Sequence, residues 1–237
     1  MKRLDKIMSE QTYYTRSEIK KLISKGTVFV NGEQAKKPET KYDEENISIK
    51  INDKEIEVNK HIYLLLNKPK GYISATEDTT QKTVLDLIPD KYKNRNLFPA
   101  GRLDKDTTGL VLITDDGEFA HNILAPRRHV KKEYEVTLDI PVTQAMVEGF
   151  KDGVNLIDGA CKSAELIITG EYTANVIITE GRYHQIKRMF GCFGAKVVEL
   201  NRICIGNLYL PKDLKLGEFK EATKEELEKI QERSLKE

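Results

Sequence analysis

Gly101-Arg102-Leu103-Asp104-Lys105-Asp106-Thr107-Thr108-Gly109-Leu110, running on into Val111-Leu112-Ile113, is the stretch from which the rest of the chain is read. It places a carboxylate beside an arginine, in a glycine-bounded loop that feeds an apolar strand. A loop anchored on a rigid strand is a common position for a reactive group. The same residues also suit a tight turn in which Asp104 and Asp106 cap local backbone amides. Composition and spacing leave both readings open.

Around this stretch, from His61 onward, apolar strand candidates recur at 62–66, 110–114, 133–138, 164–168, 174–179, 196–200 and 208–210. Helix candidates lie between them at 83–88, 117–124, 143–151, 184–193 and 223–233. There is no regular βαβ alternation, so the pattern predicts an α+β fold with a mixed, mainly antiparallel sheet flanked by helices. Asp115-Asp116-Gly117 reads as a turn after an apolar run rather than as a reactive carboxylate pair.

The first 50 or so residues form a separate unit. Leu4, Ile7 and Met8 share one helical face. Thr15 and Glu18 have the spacing of a capping box, ahead of a stripe made by Ile19, Leu22 and Ile23. Gly26 ends that helix. Val28-Phe29-Val30 followed by Asn31-Gly32 is a hairpin signal, and a further strand is expected near 47–51. Residues 52–60 read as a linker or a short surface hairpin. Two domains are therefore expected, at 1–58 and 59–237. Arg-Leu-Asp-Lys occurs twice, at 3–6 and at 102–105, and Asp5 in the first copy reads as a helix-surface residue.

The 237 residues are 32% charged and 39% hydrophobic, enough for a substantial core. No apolar run nears the ~20 residues that cross a bilayer, and the N-terminus lacks the apolar core of a secretory signal. The three cysteines, Cys161, Cys192 and Cys204, form no CxxC pair, which predicts a reducing, cytoplasmic setting. The net charge is only +1, but it is unevenly spread. Residues 1–41 hold ten Lys/Arg against five Asp/Glu, while 218–237 hold five against seven. A neutral chain with basic patches suits an RNA binder with defined contacts.

Several chemistries lack their motifs. There is no phosphate loop and no dinucleotide fingerprint. No zinc-ligand spacing is present, nor the Cys-x-x-Cys of a base deaminase, nor a nucleophile elbow. No cofactor and no metal are expected.

Gly101 to Leu110 resembles the G-R-L-D-x-x-[ST]-[ST]-G-L signature of the RsuA/RluB-type pseudouridine synthases. Other segments resemble further landmarks of that family in the same order. They are Lys68-Pro69-Lys70-Gly71, Thr83 to Leu87, Lys132-Glu133-Tyr134-Glu135-Val136, Glu180 to Met189, and Arg202 to Gly206. Residues 1–51 resemble an S4 RNA-binding domain. The resemblance covers nearly the whole chain and implies conversion of uridine to pseudouridine in ribosomal RNA. This isomerisation breaks N1–C1′ and joins C5 to C1′, without redox cofactor, ATP or metal.

By that resemblance Asp104 is the essential aspartate, Tyr134 the active-site tyrosine and Lys187 the cation that orients Asp104, with Arg188 as its near alternative. An ionised Asp104 can attack covalently, or stabilise charge at C1′ and assist proton removal. Attack at the base, attack at the sugar and elimination through a glycal all remain open. A target ring must leave its stack to be reached. Tyr134 suits stacking against it, although tyrosine in such a strand is more often simply core. Arg102 is expected to reach a phosphate or fill the space the base vacates, unless it pairs with Asp106. His184 is expected to be structural or RNA-facing rather than a general base.

Arg127, Arg128, Lys131, Lys132, Arg182 and Arg188 are candidate RNA contacts, as are Arg3, Arg16, Lys20 and Lys21 in the S4-like unit. Such contacts position RNA rather than read its sequence. Tyr183 to Phe190 is closest to the small-subunit branch. The implied partner is 16S rRNA, at the uridine conventionally numbered 516, alone or in a partly assembled small subunit, met by a monomer. The alternatives are a 23S rRNA uridine with the same chemistry, or a non-catalytic S4-type RNA-binding or ribosome-assembly factor.

Overall fold

The computed structural model describes residues 1–125, 128 and 130–231. By packing, the chain divides into two units, Met1–Ile62 with Ile88–Phe98, and Tyr63–Leu87 with Pro99–Glu237.

In the first unit, α1 (Leu4–Gln11) and α2 (Arg16–Ser24) lie on a four-stranded sheet. The capping box forms as expected: the Thr15 side chain accepts from the Glu18 N–H, and the Glu18 carboxylate accepts from the Thr15 N–H. The sheet holds β1 (Val28–Val30), β2 (Glu33–Gln34), β3 (Ile49–Ile51) and β4 (Lys54–Ile56), ordered β2-β1-β3-β4. Asn31 and Gly32 turn between β1 and β2 with φ of 50° and 85°, the left-handed pair that a two-residue hairpin requires. Asn52 and Asp53 make a second such turn, with φ of 48° and 65°. Much of the 52–60 stretch is thus a hairpin arm of this sheet rather than a linker. Leu4, Ile7, Met8, Ile19, Ile23, Val28 and Ile49 form the core.

Two expectations change here. Asp5 is not a helix-surface residue but only 1% exposed, and the Arg3 guanidinium covers both of its carboxylate oxygens. A buried carboxylate needs such a partner, so Arg3 is engaged within the fold. The boundary expected at 58/59 also omits Ile88–Phe98. Arg95 ties that segment to the first unit by donating to the carbonyls of Lys60 and Asn59 and to Gln11 Oε1.

The second unit is built on one mixed sheet. Seven strands make its main path, β5 (Tyr63–Lys68), β6 (Thr108–Thr114), β7 (Lys132–Leu138), β8 (Glu165–Ile168), β9 (Thr173–Ile178), β10 (Val197–Ile205) and β11 (Phe219–Glu221), and two short ones, Phe98–Ala100 and Leu208–Tyr209, pair beside it with β6 and β10. The main path is ordered β8-β9-β7-β10-β6-β5-β11. Along this path only the β10–β6 pairing is parallel, which is the α+β, mainly antiparallel arrangement expected. Helices α3 (Gly117–Leu124), α4 (Gln144–Asp152), α5 (Gln185–Gly191) and α6 (Lys224–Gln231) accompany the sheet. Asp116 caps α3 by accepting from the Phe119 N–H and also accepts from the Tyr63 hydroxyl, so the Asp-Asp-Gly segment has the structural role expected of it. Residues 83–88 form only a single 3-10 turn at Val84–Leu87. Strand β10 runs well past the expected 196–200, to Ile205, which places Arg202 within the strand.

Candidate active site

Asp104 sits in the loop that leads into β6, and its backbone is fixed from below. The Lys68 side chain at the end of β5 is completely buried. Its ammonium lies within 2.7–3.3 Å of the carbonyl oxygens of Pro69, Asp104, Lys105 and Thr107. A buried ammonium needs acceptors on every side, so the loop curls its carbonyls around this one. Two further ties act on the same loop. The Gly71 N–H donates to the Lys105 carbonyl at 2.8 Å, and the Ser74 hydroxyl both accepts from the Leu103 N–H and donates to its carbonyl.

Gly109 closes the loop at φ 106°, where an added Cβ would lie 2.2 Å from the Arg202 carbonyl oxygen. The parallel crossing of β6 and β10 therefore admits only glycine at this position.

The Asp104 carboxylate faces a cleft of about 510 Å³ lined by Arg102, Lys132, Tyr134, His184, Lys187 and Arg202, among others. Lys187, from the first turn of α5, brings its Nζ to 3.3 Å from Asp104 Oδ2 and 2.7 Å from Asp106 Oδ1. Burial pulls the Lys187 ammonium down, but the hydrogen bond to Asp106 and the charge of Asp104 outweigh it and leave it above its usual value. His184 Nε2 stands 3.4 Å from the other Asp104 oxygen. His184 is the N-cap of α5 and adopts the left-handed conformation, φ 46°. Gln185 steadies this turn by accepting from the Arg182 N–H and donating to Glu180. Tyr134 is 7% exposed and borders the same cleft from β7.

The sequence matches RNA pseudouridylate synthase over residues 62–191 and the S4 domain over residues 2–47. The chain belongs to the RNA pseudouridylate synthase family. The S4 match lies in the first unit, and the synthase match includes the Asp104 loop and the cleft residues named above except Arg202. A Bacillus subtilis protein called an uncharacterized RNA pseudouridine synthase is 38% identical over 97% of this chain and 98% of its own length. Ribosomal small subunit pseudouridine synthase A of Escherichia coli K12 is 39% identical over 96% of this chain and 99% of its own. A crystal structure of a pseudouridylate synthase superposes with a TM-score of 0.69 at 38% identity, covering 97% of this chain and 100% of that one. This chain is accordingly an RNA pseudouridine synthase with an S4 domain.

The remaining candidate residues of this synthase fall into distinct places. Arg102 is exposed at the cleft and, among the described residues, has no ion-pair partner, because Asp106 pairs with Lys187. Arg182 and Arg188 both pair with Asp158, whose carboxyl is held far below its usual range by Arg188 and then Arg182. Arg182 also donates to the carbonyls of Gly159 and Ala160. Arg188 is thereby drawn away from Asp104, and Lys187 is the adjacent cation. Arg128 donates to Asn122, Lys131 is half-buried, and Arg127 lies outside the described residues. Arg16, Lys20 and Lys21 are exposed on α2.

Lys132 differs from the expectation of a surface phosphate contact. It is 8% exposed, donates to the Val130 carbonyl, and borders the cleft on the same strand as Tyr134. Residues 132 and 134 share one face of β7, so a lysine two places before a cleft tyrosine is carried inward with it. Sequence reasoning gave Lys68 and Arg202 no role beyond their place in the motifs, took Lys132 for an RNA contact, and took His184 to be structural or RNA-facing. A charged residue ending the apolar strand Leu64-Leu65-Leu66 was a readable signal for Lys68, since a buried charge needs partners.

Proposed function

We propose that this synthase converts a uridine of 16S ribosomal RNA, the one conventionally numbered 516, to pseudouridine, acting as a cytoplasmic monomer on free RNA or on a partly assembled small subunit. Relatives named for the small ribosomal subunit in Escherichia coli and Yersinia pestis, at 39% and 40% identity, support the choice of RNA. The observation that supports the chemistry most directly is the Asp104 carboxylate, held at 3.3 Å from Lys187 at a cleft shared with Tyr134.

In this reading Asp104 is the reacting carboxylate. The Lys187 ammonium, 3.3 Å away, fixes its direction. The flipped uracil stacks on Tyr134, which offsets part of the few kcal/mol that unstacking costs. Asp104 then attacks, or stabilises the charge that develops at C1′. Once the ring has turned and C5 has joined C1′, the C5 proton leaves and N1 regains one. The exposed Arg102 guides the phosphate beside the target or fills the space the base vacates. Arg16, Lys20 and Lys21 hold more distant RNA.

The test is pseudouridine mapping of 16S and 23S transcripts, and of partly assembled small subunits, after incubation with purified protein and with Asp104→Asn. One new pseudouridine in 16S RNA that the variant fails to make is the expected result. A site in 23S RNA would keep the chemistry and refute the target. No product on any substrate would refute catalysis and leave an RNA-binding factor.

A further inference from the structure

The cleft contains a cation that no carboxylate among the described residues neutralises. Arg202, in mid β10, is 3% exposed. Its Nε donates to the Leu110 carbonyl at 2.7 Å, while its Nη2 is buried without any hydrogen-bond partner among the described residues. Its backbone pairs with Tyr134 across the β7–β10 ladder. Lys132, two residues before Tyr134 on β7, is the second buried cation at the cleft, and its ammonium donates to a single acceptor, the Val130 carbonyl at 3.0 Å. Among the described residues neither side chain has a carboxylate within ion-pair distance.

Buried donors are nearly always satisfied, and an unpaired buried charge costs several kcal/mol. A fold that keeps such a guanidinium beside its cleft is arranged for an electron-rich oxygen that arrives with the substrate. A phosphate oxygen and a uracil carbonyl share this chemistry. Position separates them: Arg202 is buried and flanks Tyr134, the proposed stacking partner of the ring, whereas the exposed Arg102 is the cation available to the RNA backbone. This inference rests on the proposed function and deepens it.

We propose that Arg202, assisted by Lys132, is the subsite for the carbonyl oxygens of the flipped uracil and stabilises the ring as it detaches. When N1–C1′ breaks, its electron pair leaves with N1, and the ring carries a negative charge spread over N1 and the two carbonyl oxygens. Donors that meet those oxygens stabilise the charged, detached ring more than the neutral uridine. When C5 joins C1′ the charge is consumed, C5 releases its proton and N1 takes one up. No atom is gained or lost overall.

The test measures single-turnover rates and apparent RNA affinity for the parent, Arg202→Met, Arg202→Lys and Lys132→Met. The substrates are an rRNA transcript that the parent modifies and the same transcript made with 5-fluorouridine, followed by disappearance of the target nucleoside. Losing one such donor typically costs about a hundredfold in rate. Arg202→Met is expected to lose about that much at saturating RNA with its affinity little changed. Arg202→Lys recovers part of the rate. Lys132→Met loses about tenfold. The deficits shrink on the fluorinated RNA, because fluorine withdraws electrons and the ring bears its charge with less help. Thermal unfolding of each variant runs alongside, and Lys132→Met, which keeps the Arg202–Leu110 bond, supplies the result if Arg202→Met does not fold. Full activity in the variants would overturn the inference, as would deficits equal on both RNAs. Weakened affinity with an unchanged rate and a shallower salt dependence would assign Arg202 to a phosphate and overturn it too. A parent that forms no pseudouridine on any RNA overturns the proposed function and this inference together, whereas an active parent matched by its variants overturns this inference alone.

Discussion

Lys68 and Lys132 show how burial sets the character of a single residue. Burial pushes both ammonium groups down to about 8. Lys68 is enclosed by four carbonyls, which suit the charged form, and it works as the fastening of the Asp104 loop. Lys132 has one carbonyl and a second cation, Arg202, beside it. Its pH linkage therefore has a definite sign. Below about pH 8 it is protonated in both the folded and the unfolded chain, and the folded protein bears the full penalty of burying the charge. Between about 8 and the ordinary value of 10.5 the unfolded chain holds the extra proton, so this group's contribution to stability rises with pH. Lys132→Met removes the effect. The urea midpoint of the parent is expected to gain on that of the variant as pH rises through this window. A constant difference from pH 7 to 10 would show that Lys132 does not titrate there.

At the scale of elements, the site depends on where two strands cross and where one helix begins. The parallel contact of β6 and β10 passes over Gly109, and a Cβ there would meet the Arg202 backbone oxygen and nitrogen at 2.2 and 2.7 Å and Asn201 Oδ1 at 2.7 Å. Gly109→Ala must strain φ and part the strands at once, which is expected to cost about 3 kcal/mol or more. A denaturant midpoint and m-value would measure it, and a variant as stable as the parent would refute the close crossing. The last glycine of the Gly101–Gly109 loop is therefore a packing requirement of the sheet as much as part of the Asp104 loop. Helix α5 begins at a left-handed His184, and this start places Lys187, rather than Arg188, beside Asp104. Arg188, one residue on around the helix, pairs instead with Asp158.

At the scale of the whole molecule, a chain of net charge +1 has to bind a polyanion through local excess. In the proposed reading, exposed Arg16, Lys20 and Lys21 on α2 supply part of it in the first unit, and Asp104, Lys187 and Arg202 mark the cleft in the second. Replacing Arg16, Lys20 and Lys21 with Gln is expected to weaken RNA binding and to flatten its dependence on salt, by roughly 0.7 in log–log slope for each lost contact to single-stranded RNA. Filter binding over a range of KCl concentrations would show this. An unchanged slope would remove the three residues from the RNA contact. No helix among the described residues is long and apolar enough to cross a membrane.

The sequence by itself determined the order and type of most elements, because apolar periodicity and turn chemistry act locally. Thr15 and Glu18 marked the start of α2, Asn31-Gly32 the first hairpin, and the Gly101–Leu110 signature the loop of Asp104. Through its resemblance to the family it also singled out Asp104, Tyr134 and Lys187, which line one cleft from three separate elements. Only the tertiary structure decided which charges are buried and which are spent on one another. Lys132 resembled its basic surface neighbours until the face of β7 carried it inward. Asp5 read as a helix-surface residue and Arg3 as an RNA contact until they closed on each other. Arg182, Arg188 and Asp158 became a surface ion-pair cluster only when distant segments met. Partner choice among charges is a matter of distances across the fold, and linear spacing along the chain does not encode it.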